Sequence, residues 1–245
     1  MLILLPPSET KRAGGRARPL DIGRLTYPGL APQREALVDA LVALSRDEVE
    51  AARVLKLGPT QRSEIAANAL LRDAPTMPAI DRYTGVLYDA LGAASLDPAG
   101  RRWLGAHVRI HSAPFGPVGA LDAIPAYRLG AAAAVPGLPS LKRMWTDAVT
   151  AALADENPRF VLDLRSEAYV GLGPVAASVP SAYVRVVSDT GRALNHFNKH
   201  AKGALVRRLA EERPRVSSRA GFVRWADAAG LRIQDGDDGT LQLFA

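Results

Sequence analysis

Three short stretches hold most of the residues whose types and spacing could do chemistry. Ser8-Glu9-Thr10-Lys11-Arg12-Ala13-Gly14-Gly15 follows an apolar run and supplies hydroxyls, two cations and two glycines, the ingredients of a loop that cradles an anion. Asp163-Leu164-Arg165-Ser166 closes a second apolar run. Strand ends are where polar side chains emerge into clefts. There Arg165 could grip a carboxylate or phosphate bidentately, or form an internal pair with Asp163; Asp163 paired with Arg128 is a further alternative. Asn198-Lys199-His200-Ala201-Lys202-Gly203, followed by Arg207-Arg208, is the densest basic stretch. On a helix Lys199, Lys202 and Arg207 share a flank that suits a phosphate backbone, or simply face solvent. Arg82-Tyr83 and Tyr127-Arg128 each join an aromatic ring to a guanidinium, a pairing fit for stacking on a base or for plain packing.

A different feature lies at Leu57-Gly58-Pro59, flanked by Arg53, Lys56 and Arg62. Glycine lets backbone N–H groups approach a phosphate, and a following helix N-terminus adds a favourable dipole. Contacts of that kind to duplex DNA are indifferent to sequence and sensitive to salt. The alternative is an ordinary turn between two helices, with Gly58 capping the first.

Several chemistries are set aside. There is no cysteine, hence no disulfide, thiolate metal site or cysteine nucleophile. GxxxxGK[ST] and GxGxxG are absent. His196 and His200 are four apart, but HExxH is missing and no carboxylate lies close in sequence, so no metal or cofactor is expected. Ser112 with a histidine and Asp122 could imitate a hydrolase triad, but the G-x-S-x-G elbow is missing.

The elements that must position these residues follow from hydrophobic period and breakers. Met1 to Leu5, Val108 to His111, Arg159 to Leu164 and Tyr183 to Val187 read as strands. Arg34 to Leu44, Leu141 to Ala154, a helix begun near Ala193 and continuing to Glu212, and Ala220 to Ala229 read as helices. Ser45-x-x-Glu48 has the form of a capping box that starts a helix to about Leu55. Another runs from about Gln61 to Arg72, which makes a helix-hairpin-helix-like element over about 45–72. Arg232 to Leu243 reads as a terminal hairpin. The strands mix with helices without a strict βαβ rhythm, so the expected class is α+β, one compact domain over 1–245 with a mixed sheet surrounded by helices. No run reaches the length of a signal peptide or membrane span, which makes the cytoplasm the expected location.

The chain is basic, with net charge +6 and 23% charged residues. From Thr190 to Arg232 there are ten lysines or arginines against three acids, an excess larger than that of the whole chain. A concentrated basic face attracts polyanions, although arginine- and alanine-rich composition is also what a GC-rich genome produces.

Several stretches together resemble the YaaA peroxide-stress family. These are Met1 to Lys11; Arg82-Tyr83-Thr84-Gly85-Val86-Leu87-Tyr88; Ser112 to Arg128 and Leu129; Trp145; Asp163-Leu164-Arg165-Ser166-x-x-Tyr169; and Phe197 to Gly203. The resemblance implies a bacterial oxidative-stress protein that limits peroxide damage, with lower free iron as the associated effect. It also implies a helix-hairpin-helix-like element and a positively charged cleft able to hold duplex DNA. It adds weight to Ser8, Glu9, Lys11, Arg82, Tyr83, Ser112, Tyr127, Arg128, Asp163, Arg165, Ser166, Asn198, Lys199 and Lys202 as cleft residues. One departure stands out. Where many members read Gly-x-x-Arg-Pro-x-Asp, this chain has Gly116-Pro117-Val118-Gly119-Ala120-Leu121-Asp122 and lacks the arginine.

Two functions remain. The first is a protein that grips duplex DNA without sequence preference through Arg53, Lys56, Gly58, Arg62, Lys199, Lys202 and Arg207. The second is an enzyme for a small anionic or nucleotide-like molecule, with Asp163 or Lys199 in proton transfer.

Overall fold

The opening Leu-Ile-Leu-Leu run becomes an inner strand of the sheet, buried on both faces, which is why it is apolar without alternation. The computed structural model describes residues 1–188, 195–236 and 239–244. Its strands are β1 (Leu2–Leu5), β2 (Met77–Pro78), β3 (Val108–Ser112), β4 (Gly116–Gly119), β5 (Ala123–Ile124), β6 (Val161–Asp163), β7 (Ser181–Val187), β8 (Ile233–Asp235) and β9 (Leu241–Phe244). Its helices are α1 (Ala31–Leu44), α2 (Glu48–Val54), α3 (Ser63–Ala69), α4 (Ala79–Arg82), α5 (Val86–Leu91), α6 (Pro98–His107), α7 (Leu141–Asp155), α8 (Glu167–Val170), α9 (Asn195–Glu212) and α10 (Arg219–Ala228).

Seven strands form one sheet in the order β4-β3-β1-β6-β7-β9-β8. The inner five are mutually parallel, and β4 and β8 are antiparallel edges. The fold is thus α+β with a mixed sheet and helices around it, as expected. β2 and β5 pair separately. The chain leaves β1 to reach β3 on one side, and leaves β6 to reach β7 on the other. The strand order therefore reverses between β1 and β6. At such a switch point the loops beyond the carboxyl ends part and leave a crevice. Ser8 to Lys11 follows β1, His111 and Ser112 end β3, and Asp163 to Ser166 ends β6, so this topology brings three of the predicted stretches to one edge of the sheet.

Helix α9 reaches the same edge from its N-terminal half. Gly203 lets it lie against α5, because a methyl group there would overlap the Leu87 carbonyl oxygen. Residues 193 and 194, where this helix was expected to begin, lie outside the described residues. The terminal hairpin forms as β8 and β9.

Between residues 45 and 72 two helices do form, with a small core of Leu44, Ala51, Val54 and Ile65. Their details differ from the sequence reading. Ser45 ends α1, donating to the Leu41 carbonyl, and Asp47 is the true N-cap of α2, accepting from the Val49 and Glu50 amides. After α2 it is Lys56, not Gly58, that takes the left-handed conformation, at φ 54°. The Lys56 and Leu57 amides return to Arg53 and Ala52, the pattern that closes a helix C-terminus. Gly58 has ordinary φ −73°, and its N–H is taken by the Gln61 side chain.

Candidate functional site at the carboxyl edge of the sheet

Lys11 is the centre of the crevice. Its Nζ lies 2.9 Å from the Ser8 carbonyl and 3.1 Å from the Glu9 carbonyl. The same atom sits over the Tyr127 ring at 4.1 Å and near the Tyr83 ring at 5.6 Å. Burial is the main force on it, and the Arg128 guanidinium adds to it, so its pKa falls to about 7. The two phenols hydrogen-bond each other at 2.8 Å, and Tyr88 donates to the Pro6 carbonyl at 2.7 Å. Burial raises all three tyrosine pKa values, which keeps them neutral donors.

The backbone of this loop is fixed by Arg82. That guanidinium is wholly buried and donates to the carbonyls of Arg12, Gly14, Pro75 and Ile124 at 2.6 to 3.2 Å. The Arg12 amide returns a bond to the Arg82 carbonyl at 2.8 Å. Arg82, expected to face an anion, instead spends its donors on main chain and holds Lys11 in place. The loop glycines also serve the fold. Gly15 lets the chain touch the backbone at Pro75 and Thr76, where a Cβ would collide.

Arg128 stands beside Lys11. Its main-chain N–H and C=O are both held by the Asn68 side chain at 2.8 Å, so α3 fixes where it sits. Its guanidinium meets Glu64 at 3.2 Å and Glu9 at 3.5 Å. The Arg128 side chain is 14% exposed, whereas that of Glu9 is 82% exposed. A mostly covered guanidinium, already paired with Glu64, is therefore also met by a carboxylate on an exposed arm. Sequence reasoning missed Asn68 and Glu64, because nothing in a helical Ser-Glu-Ile-Ala-Ala-Asn-Ala segment marks a residue that clasps chain sixty positions away.

Across the crevice Asp163 and Arg165 form the internal pair that was the alternative to anion binding. The guanidinium meets both carboxylate oxygens at 2.9 and 2.6 Å, and the Arg165 amide adds a bond at 3.0 Å. Arg165 also reaches the Gly173 carbonyl at 2.8 Å and His111 Nδ1 at 2.9 Å. As an acceptor toward Arg165, His111 is neutral, and burial lowers its pKa in the same sense. Its Nε2 then carries a proton that has no partner. Arg165 has no exposed surface to offer an anion, and both Asp163 carboxylate oxygens accept from its guanidinium. Both hold the strand end rigid.

Lys202 is buried, with Nζ 5.5 Å from the Tyr183 ring centre, and burial outweighs the pull of Asp163 to bring its pKa down to about 8. Asn198, one turn earlier on the same face of α9, has a buried Oδ1 without a partner. Lys199 and Ser166 are exposed. The Ser112 hydroxyl accepts from the Phe115 amide at 3.2 Å. Tyr169 links the two halves: its ring lies 5.7 Å from His111, and Tyr127 and Glu9 both help to raise its pKa, behind burial.

The structure thus brings together Ser8, Glu9, Lys11, Tyr83, Tyr127, Arg128, Asp163, Arg165 and Lys202. Of the expected DNA contacts Lys202 is in this group, whereas Arg53, Lys56, Gly58 and Arg62 belong to the helix pair. Arg53 pairs with Glu50 and Arg62 with Glu48. Lys56 is exposed, and Arg207 binds the Leu91 and Gly92 carbonyls and Glu211. At the departure noted in the sequence, a Cβ on Gly119 would fall 2.7 Å from the Thr26 hydroxyl and 3.0 Å from Asp122. Nearby, the fully buried Arg34 donates to the Thr26, Phe115 and Pro117 carbonyls.

Among the described residues no group of three or more His, Asp or Glu is arranged to hold a metal ion, and no helix is long and apolar enough to cross a membrane. An α+β protein with polar chemistry gathered at a sheet switch point is the class that these features define. The family model described as "Peroxide stress protein YaaA" matches residues 1–235. A UPF0246 protein of Corynebacterium efficiens is 45% identical over 99% of both chains. One of Corynebacterium glutamicum is 42% identical, covering 96% of this chain and 95% of its own. One of Streptomyces coelicolor is 44% identical over 85% of this chain and 82% of its own. This chain belongs to the YaaA family of peroxide stress proteins.

Proposed function

We propose that the carboxyl-edge crevice binds a small anionic or nucleotide-like molecule, and that the protein serves the peroxide-stress response as an enzyme acting on it. One observation carries this reading: Arg128, mostly covered and paired with Glu64 at 3.2 Å, is also faced by a carboxylate, Glu9, that is itself exposed and held only at 3.5 Å. Glu9 occupies a seat that a ligand's carboxylate or phosphate can take. Around that seat lie an amine of lowered pKa, neutral phenols and tyrosine rings, a richer set than phosphate contact alone requires. The test is a calorimetric titration with inorganic phosphate and with adenosine monophosphate. Wild type binds at least one of them, and Arg128→Gln loses the affinity. No heat with either ligand for wild type refutes the reading.

A second reading, that the protein also grips duplex DNA and so limits iron and peroxide damage to it, rests on a separate observation. Arg12, Arg16, Arg18 and Arg24 are all exposed, and among the described residues none has an acid within ion-pair distance. Lys56 and Lys199 are exposed as well. Arg18 and Arg24 line an open pocket of about 460 Å³ with Pro19 and Leu121, away from Lys11. Retardation of unrelated duplexes at low salt, weakening at moderate salt, is the expected result. Absence of retardation at low salt removes this reading.

A further inference from the structure

Lys11 has an unusual set of neighbours for a lysine. Two main-chain carbonyls accept from it, two phenol rings flank it, and Arg128 lies close by. Among the described residues no carboxylate forms an ion pair with it; Glu9 and Glu64 turn to Arg128 instead. A neutral amine has two N–H donors and one lone pair, and the Ser8 and Glu9 carbonyls account for both donors. What remains is a lone pair on an amine whose residue keeps part of its surface open. Lysines deprived of a counter-ion and set beside another cation are the ones that attack carbonyl carbon. Lys202, the other buried lysine, is less open; the pull of Asp163 opposes its burial as the pull of Glu64 and Glu9 opposes that of Lys11.

We infer that Lys11 is a nucleophile that condenses with the carbonyl group of a small aldehyde or keto acid, whose carboxylate displaces Glu9 from Arg128. This rests on the anion seat proposed above and adds the covalent step. The Nζ lone pair forms a bond to the carbonyl carbon, and the carbonyl oxygen takes up a proton to give a carbinolamine. The nitrogen gives up one proton as the carbinolamine forms; the hydroxyl then leaves as water with a second proton, the nitrogen gives up its other hydrogen, and a neutral imine remains. No electrons are gained or lost. The mutually bonded phenols of Tyr127 and Tyr83, neutral because buried, are the candidate proton donors to the oxygen.

Glyoxylate with cyanoborohydride is the direct probe. The reductant delivers hydride to the imine carbon, and the product is a carboxymethyl group on lysine nitrogen, which peptide mass mapping locates. Carboxymethylation of Lys11 at neutral pH is expected to outrun that of Lys56, Lys142 and Lys199 by at least about tenfold and that of Lys202 by about fivefold, since a larger fraction of its amine is neutral. Lys11→Arg keeps the cation and the fold, checked by its thermal midpoint, and shows no preferred adduct. Oxalate, which has carboxylates but no aldehyde, slows labelling of Lys11 alone. If labelling is even across the five lysines while oxalate still binds wild type and fails with Arg128→Gln, the condensation is refuted and the anion seat stands. If labelling favours Lys11 but oxalate neither binds nor slows it, the amine is reactive and the seat is refuted. Even labelling with no oxalate binding removes both.

Discussion

The loop at residues 8–15 and the turn at 56–62 begin from the same ingredients: glycine, flanking cations and an adjoining regular element. They end with opposite physics. In the loop, main chain is locked by the buried Arg82, and the one central cation is drawn into a ring of phenols without a counter-ion. In the turn, the glycine N–H is capped by Gln61, and Arg53 and Arg62 lean on acids of their own helix pair. Composition is shared, and burial decides. A cation pressed into protein has its charge state and reactivity changed, whereas one on the surface keeps its ordinary chemistry.

The comparison breaks hardest at the buried guanidiniums. Arg165→Leu leaves the Asp163 carboxylate buried and unpaired, and a loss of about 3–5 kcal/mol in denaturant unfolding is expected. Arg82→Leu releases four carbonyl acceptors and should cost about 3 kcal/mol or more, measured in the same way. Asn68→Ala sits between the two regions, because α3 belongs to the helix pair yet clasps Arg128. It should cost about 1–3 kcal/mol and weaken anion binding together, a joint loss that sharpens the link.

The next effect is a pH dependence. Lys11 is depressed to about 7 in the folded state against an ordinary value of 10.5. Between those pH values the unfolded chain holds the proton and the folded chain does not, so stability rises with pH, by at most about 1.4 kcal/mol per unit from this residue. Lys11→Met should flatten that rise in urea midpoints taken from pH 7 to 10, and an unchanged slope would contradict the burial argument. The smallest effect is in the turn. Arg53→Ala should leave the unfolding midpoint where it is, since both partners of that pair are open to water.

Much of this was readable from the chain. The segments Met1 to Leu5, Val108 to His111 and Arg159 to Leu164 read as strands, and the polar residues at their ends do meet at one edge. What sequence could not supply was the state of each cation. Asp163-x-Arg165 reads equally as a gripping hand or a closed one, and the Gly173 carbonyl, eight residues on, and the ring of His111, remote in sequence, settle it as closed. Gly58 looked like the special backbone position, yet Lys56 takes the left-handed turn, because helix closure fixed the geometry two residues earlier. Gly119 was visible in the sequence as a departure, whereas the buried Arg34 that ties together the neighbouring carbonyls was hidden in an ordinary helix.

The measurement that bears most directly on the account is the affinity for oxalate of wild type, Glu9→Gln and Arg128→Gln by calorimetry at one ionic strength. If Arg128 is an anion seat shielded by an exposed internal acid, Glu9→Gln binds more tightly than wild type and Arg128→Gln hardly at all. Equal affinities across the three proteins would contradict it.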